Sequence, residues 1–436
     1  MSLGKDFFFN TFKIAGSTVL AQVIGILTIP VFARLFAPEI VGQYALFTSL
    51  VGILAVFGSG RYELALMLPQ EKERAVNILK GAMGIALIWA CLLLVLIFFN
   101  QALIVKIKSY ESIQSHLIFI PLAVLFTCWN RILLYWFNRE KKFGLNALFN
   151  IFNSGGTKIA NVGVGLCGWV SASVLIFINI IILAGEFVGR LILCRTTCIK
   201  WKKFSYKEIK KELIRYKKFP LIDSWSGLLD TGSLLIVPIL LSLYFTDADV
   251  GLYSQSLTLV QLPLALVASA LGQVFFQRLS EAKYTGEMGQ IIADAFVLLL
   301  QIGVPIFLII FLWGREIFSF FLGERWAVSG TYAELLAPWC CLKMAFSPLS
   351  TIFSVKERQD MSLIITIVTL LSRVSSIVIG GFYNSCYLAI LLFGISGVLI
   401  NLFGIFFLFK LSEITFIEIK LAFYNNPFVS ILKKII

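Results

Sequence analysis

The amino-acid sequence predicts an all-α integral membrane protein with about twelve transmembrane helices. Three observations carry that prediction. Hydrophobic residues fill 59% of the 436 positions and charged residues only 14%, against roughly 25% charged in soluble domains. The apolar residues fall in runs long enough to cross a bilayer. The basic residues, which give a formal charge of +13, gather in the short gaps between those runs.

A spanning helix needs ~20 apolar residues to cross ~30 Å of hydrocarbon. Runs of that kind lie near 12–36, 40–68, 76–99, 115–137, 145–166, 169–194, 219–245, 250–276, 290–313, 330–355, 361–381 and 385–409. The second is long enough to carry a helical extension toward Pro69. The first, from Phe12 to Phe36, is too long for a signal-peptide core, so it is expected to remain in the protein. Forty phenylalanines and nine tryptophans suit lipid-facing surfaces and interfacial belts.

Orientation follows from the positive-inside rule. With the N-terminus in the cytoplasm, and with Lys13, Arg34 and Lys80 at the span ends counted with the adjoining segments, 26 of the 37 Lys and Arg fall on cytoplasmic segments, five on the opposite side and six within spans. Both termini are therefore expected in the cytoplasm, in a bacterial inner membrane. This arrangement of charge belongs to membrane topology, and no nucleic-acid partner is expected. The basic stretch at 200–218 alternates Trp201, Phe204, Ile209, Leu213 and Tyr216 with lysines. It reads as a linker helix lying on anionic membrane lipids.

The two halves repeat. Pro30 precedes Val41-Gly42-Gln43-Tyr44, and Pro238 precedes Val250-Gly251-Leu252-Tyr253, at offsets of 208 and 209. Pro121 before Arg139-Glu140-Lys141 matches Pro338 before Lys356-Glu357-Arg358 at offset 217. Two ordered matches at nearly constant offset predict two six-helix bundles in a parallel pseudo-twofold repeat. The expected domains are an N-terminal bundle (1–199), the linker (200–218), a C-terminal bundle (219–409) and a cytoplasmic tail (410–436). Transporters are commonly built from such repeats, with the site between them.

Two sets of polar residues are candidates for that site. Asp223, Ser226, Asp230 and Ser233 recur on one helical face of span 7. The repeat maps them onto Ala15, Thr18, Gln22 and Gly25 of span 1. Lipid penalises a stripe with two carboxylates, so it should line a cavity or pair with neighbouring cations. The second set is basic. Lys158, Lys343 and Arg373 lie twelve or thirteen residues into their spans, close to the midplane at 1.5 Å per residue. Arg61 and Arg131 lie nearer the cytoplasmic ends, as does Arg190. Either a salt bridge to Asp230 or a cationic cavity for an anionic ligand would offset the cost of such charges. Glu63, Glu186 and Asp294 are expected to snorkel or pair locally, Glu63 with Arg61 and Glu186 with Arg190.

Enzyme chemistry has no foothold in the sequence. No phosphate-binding loop, nucleophile elbow or metal-ligand cluster appears, and no cofactor is expected beyond a coupling proton or sodium ion. The eight cysteines lack zinc or redox spacing and read as buried thiols.

The opening FKIAGSTVLAQVIGILTIPVFARLFAPEIVGQYALF, the following GSGRYELALMLPQEKERA and the late REIFSFFLGERWAVSG resemble the polysaccharide-transporter family. The resemblance is specifically to the O-antigen flippases, relatives of the multidrug and toxin extrusion transporters and the lipid II flippases. It covers essentially the whole chain in order. It implies a central cavity between two six-helix bundles, lined largely by spans 1, 2, 7 and 8. It also implies a substrate: an undecaprenyl-diphosphate-linked oligosaccharide, moved from the cytoplasmic to the periplasmic leaflet. Polymerase and chain-length proteins of the same pathway are the implied partners. Twelve spans leave out the extra helix pair of lipid II flippases. A drug or cation antiporter would favour an acidic, aromatic cavity, which the cationic surplus opposes. A membrane-embedded polymerase or glycosyltransferase would need a sizeable extramembrane loop carrying Arg, Asp or His, and the longest loop is the lysine-rich linker.

Overall fold

A computed structural model describes residues 16, 20, 22–105, 108–197, 205–266, 288–414 and 416–425. No strand occurs among them. In chain order, α1 (Gln22–Leu35) is a shorter apolar helix. It is followed by α2 (Pro38–Gly58) and α3 (Lys72–Val105), then a 3-10 segment (Lys108–Phe119) leading into α4 (Ile120–Arg139). Next, α5 (Phe143–Asn150) passes through a π-helical turn (Ile151–Gly155) into α6 (Gly156–Leu166), and α7 (Ala172–Thr197) follows. The helix α8 (Tyr206–Arg215) precedes a second π turn (Phe219–Asp223), α9 (Ser224–Tyr244) and α10 (Asp247–Val260). The chain continues with α11 (Met288–Leu322), α12 (Ala327–Phe346), α13 (Gln359–Phe382), α14 (Cys386–Leu411) and α15 (Phe416–Asn425).

Seven of the described helices are long and apolar enough to span a membrane, and two bent helix pairs bring the number to nine. In the most apolar window of Lys72–Phe99 only 22% of the residues are buried, and Ile88, Phe98 and Phe99 stand exposed. Water would not tolerate such a surface, whereas lipid suits it, so the chain is a multi-pass membrane protein.

Local signals start and stop these helices. Pro38 opens α2 with Glu39 in its first turn, where a missing N–H and a negative charge are both favourable. Ser205 caps α8 by accepting from the Glu208 N–H, in the Ser-x-x-Glu pattern of a capping box. Ser385 caps α14 by accepting from the Leu388 N–H at 3.2 Å. The extension expected beyond α2 is broken. Gly60 and Arg61 both take φ of 57°, and only one helical turn, Tyr62–Ala65, follows.

The chain forms two compact units, Met1–Gly251 and Leu252–Ile436. In the first, α2 packs on α9, with Gly52 admitting Leu235, and α4 packs against α2, α3 and α7. Its core runs through Leu46, Phe47, Ala86, Val124 and Ile176. A second cluster centres on Trp136, Phe137, Ile78 and Phe149. The starts of α2 and α10 cross backbone to backbone, and the contact is reciprocal. A Cβ on Gly42 would overlap the Asp247 carbonyl and lie 2.9 Å from the Gly251 nitrogen. A Cβ on Gly251 would overlap the Pro38 carbonyl and lie 2.9 Å from the Gly42 nitrogen. Gln43 Nε2 donates to Asp247 Oδ2 at 3.0 Å beside the crossing. In the second unit α12 packs on α11 and α14, and α13 packs on α14. There α15 docks on α11, with Ala422 against Ala293 and Val297.

The basic helix α8 rests on the first turns of α3. Arg74 donates to both carboxylate oxygens of Glu212, at 2.9 and 3.2 Å, and Tyr62 donates to the Leu213 carbonyl. Asn77 reaches Glu208 at 3.4 Å. Both acids of α8 thus face the bundle, while Lys207, Lys210 and Lys211 stay exposed. Charge-assisted hydrogen bonds contribute about 2 kcal/mol. Glu212→Ala should therefore raise trypsin cleavage at Lys210 and Lys211 on the order of thirtyfold when opening is at equilibrium. Unchanged cleavage would mean that α8 is held by its apolar face alone.

Candidate functional site

Each unit builds its own cationic arrangement, and each begins with glycines that let side chains approach backbone. In the second unit a Cβ on Gly397 of α14 would lie 2.7 Å from Trp339 Cγ, so the indole lies against bare backbone. Phe393 meets the Trp339 ring edge to face at 5.1 Å and the Tyr253 ring at 6.2 Å. Lys343 and Arg373, both of this unit, lie against that aromatic group. Lys343 Nζ lies 5.0 Å from the Trp339 ring centre. The Arg373 guanidinium lies 5.6 Å from Trp339 and 5.4 Å from Phe393. Arg373 is only 6% exposed, while Lys343 is half-buried. Ring faces attract desolvated cations by ~2 kcal/mol or more, which favours both positive charges lying against this aromatic group.

In the first unit Lys158 lies on α6 and reaches α1. A Cβ on Gly25 would overlap Lys158 Nζ and lie 3.1 Å from its Cε. One turn before Gly25, the half-buried Gln22 has an Oε1 without a hydrogen-bonding partner among the described residues. The ammonium of Lys158 therefore lies against α1 within a turn of Gln22. Arg61 follows the break after α2, and its guanidinium fills the space left by Gly227 of α9: a Cβ there would lie 2.8 Å from Arg61 Cζ. Its Nε has no hydrogen-bonding partner among the described residues. Arg131 sits half-buried on α4, one turn from the buried Cys128.

The acidic residues divide. Glu63 does not pair with Arg61. It is fully buried, Ser59 Oγ donates to its Oε2 at 2.5 Å, and its Oε1 has no hydrogen-bonding partner among the described residues. Sequence reasoning missed this burial, because the left-handed residues Gly60 and Arg61 turn the following side chains away from the α2 periodicity. Glu186 does pair with Arg190, at 2.9 Å and buried. Along the acidic stripe, Asp223 is half-buried, Ser226 exposed and Ser233 buried. The segments Phe219–Leu229 and Thr231–Tyr244 meet at 56° across Asp230. The Asp230 side chain and Thr18 lie outside the described residues. Asp294 accepts from Gln290 at 3.0 Å and is exposed. No group of three or more His, Cys, Asp or Glu side chains is placed to hold a metal among the described residues.

Comparison with known proteins places this architecture. The "Putative O-antigen transporter" of Shigella flexneri is 26% identical over 356 residues, covering 76% of this chain and 79% of that protein. The structure of the lipid II flippase MurJ in an inward closed conformation superposes with a TM-score of 0.77 at 15% identity, covering 94% of this chain and 90% of that one. An inward-facing multidrug resistance MATE family transporter of the MOP superfamily superposes with a TM-score of 0.66 at 14% identity, covering 92% and 99%. The fold is that of these transporters. The family model described as "Polysaccharide biosynthesis protein" matches residues 31–331, well over half of the sequence, and the chain belongs to that family.

Proposed function

We propose that the protein is a flippase, a transporter rather than an enzyme, that moves undecaprenyl-diphosphate-linked O-antigen or related repeat units from the cytoplasmic to the periplasmic leaflet of the bacterial inner membrane. The observation that carries this reading is the pairing of Lys343 and Arg373 on one buried aromatic group. A diphosphate loses its hydration on entering a low-dielectric site and must regain charge-assisted hydrogen bonds. Lys343 and Arg373 supply donors in one unit. Lys158, Arg61 and Arg131 supply them in the other. The Shigella relative and the lipid II flippase fold support a lipid-linked saccharide as the cargo.

The wider architecture we infer is two six-helix bundles of about twelve spans around a central cavity, with both termini cytoplasmic. The reciprocal Gly42–Gly251 crossing supports the repeat, because each partner sits at the offset of 209 seen in the sequence. Alternating access follows if the loaded and empty cavity favour different states. Two acidic positions are candidates for a coupling proton or sodium ion: Asp230, with Asp223 and Ser226 of the same sequence stripe, and Glu63, whose buried Oε1 has no hydrogen-bonding partner among the described residues.

The test is complementation of an O-antigen-negative strain lacking its flippase, with membrane expression followed by blot. Lys158→Ala, Lys343→Ala and Arg373→Ala should insert normally and lose surface polysaccharide. If all three insert and all three restore it, the cationic mechanism is wrong. If only charge reversals paired with Asp230 restore it, the cations are salt-bridge partners instead. Glu63→Gln should insert, since glutamine keeps the size and hydrogen bonding of the buried side chain, yet uncouple transport from the ion gradient in proteoliposomes. Unaltered coupling would remove Glu63 as the carrier.

A further inference from the structure

The helix that carries Lys158 is not regular. Between α5 and α6 the chain makes the π turn Ile151–Gly155, which takes up one residue more than an α-helical turn. Everything C-terminal to it is rotated by about one residue, roughly 100°, relative to an uninterrupted helix. Lys158 lies three residues beyond the turn. The π turn therefore decides which way its side chain points, and in the structure that way is toward Gly25. Gly155, the last residue of the turn, itself lies close to α1: a Cβ there would be 3.1 Å from Ile24 Cδ1.

An extra residue in a helix is costly to keep, because the regular ladder is lost locally. A buried polar network spans this one. Asn153, inside the turn, donates to Glu186 Oε2 at 2.5 Å. The other carboxylate oxygen of Glu186 accepts from Arg190 Nε at 2.9 Å. Arg190 Nη1 donates to Asn146 Oδ1 at 2.6 Å, and Asn146 donates in turn to the Leu134 carbonyl and Asn138 Oδ1. The Arg190 guanidinium also lies 4.7 Å from the Phe149 ring centre. Arg190 is 1% exposed and Glu186 5%. The chain thus connects α4, α5 and α7 to the π turn itself.

We propose that Asn153, Glu186 and Arg190 are positioning residues that hold the π turn and thereby aim Lys158 at α1. This rests on the reading of Lys158 as part of the anion site, but the geometry can be tested apart from it. A general structural role and a positioning role predict different things for one deletion. Removing Phe152 takes out the surplus residue and lets α5 and α6 join as one α-helix, with Lys158 still facing Gly25. The network then has nothing left to hold.

The experiment uses the full chain with its native cysteines replaced and spin labels at two exposed positions, Ile159 on α6 and Ile181 on α7. Asn153→Leu should let the turn anneal to an α-helix and carry the Ile159 label around the axis, a displacement of about 8 Å for a 100° rotation at the helix surface. Surface polysaccharide should fall on the order of tenfold or more. Deleting Phe152 in the same variant should restore both the distance and transport. Replacing Asn153, Glu186 and Arg190 together by Leu, Met and Met provides a second variant that leaves no buried charge unpaired, should the single substitution fail to insert. An unchanged label distance in both variants, or no rescue by the deletion, overturns the proposal. A distance that shifts and returns without any change in transport supports the positioning and removes Lys158 from the anion site.

Discussion

Gly251→Val should abolish surface polysaccharide, and Gly42→Val should do so to the same degree. Each new side chain would begin inside the backbone of the opposing helix: the Pro38 carbonyl for Gly251, the Asp247 carbonyl for Gly42. Overpacking that flexible side chains can absorb costs about 1–3 kcal/mol. Here the obstructing atoms are backbone groups, so the helix starts must separate. Close glycine crossings of this kind replace the hydrophobic driving force that lipid does not supply between helices. Gly84→Val on α3 is the control, since nothing lies within 4 Å of its would-be Cβ. Expression, thermal stability in detergent and complementation should all separate Gly42→Val and Gly251→Val from Gly84→Val. If Gly251→Val behaves like the control, the crossing is not a stable feature of the protein.

Those two glycines also show how much the sequence reveals. Hydropathy and charge foretell a polytopic helical membrane protein because both report directly on solvent preference, residue by residue. The offset of 209 between Gly42 and Gly251 foretells a related environment, though not that the two glycines would touch. The pairing of Glu186 with Arg190 is legible because i and i+4 share a helical face. The burial of Glu63 is not, since it depends on left-handed backbone at Gly60 and Arg61 that periodicity cannot register. The π turn at Ile151–Gly155 is equally hidden: an apolar span reads the same with one residue more, yet its polar side chains change direction. The helix α15 in the expected tail escapes notice because ten residues are too few to span, and its docking depends on the small side chain of Ala422. For the site, depth in a span marked Lys343 and Arg373, while their common aromatic support needed the fold.

That support makes Arg373 the position where charge and shape can be separated most sharply. Arg373→Lys keeps the charge but loses the planar fork that lies over Trp339 and Phe393 and can engage a phosphate through two donors. Arg373→Gln keeps a planar hydrogen-bonding end but loses the charge and about two bonds of reach. A charge-assisted hydrogen bond is worth about 1.5–3 kcal/mol, and loss of stacking on a desolvated ring adds ~2 kcal/mol or more. Arg373→Gln should therefore insert and weaken binding of a short-chain lipid diphosphate by several hundredfold or more, with complementation lost. Arg373→Lys should fall between it and the wild type, weakened about tenfold. Trp339→Phe should impair Arg373 and Lys343 together, because both lie over the same indole, and in the Arg373→Gln background should add only the part carried by Lys343. The outcome that would sink this reading is a diphosphate affinity that follows protein abundance alone, equal in Gln and Lys variants once normalised to folded protein. Arg373 would then hold α12, α13 and α14 together without touching the cargo.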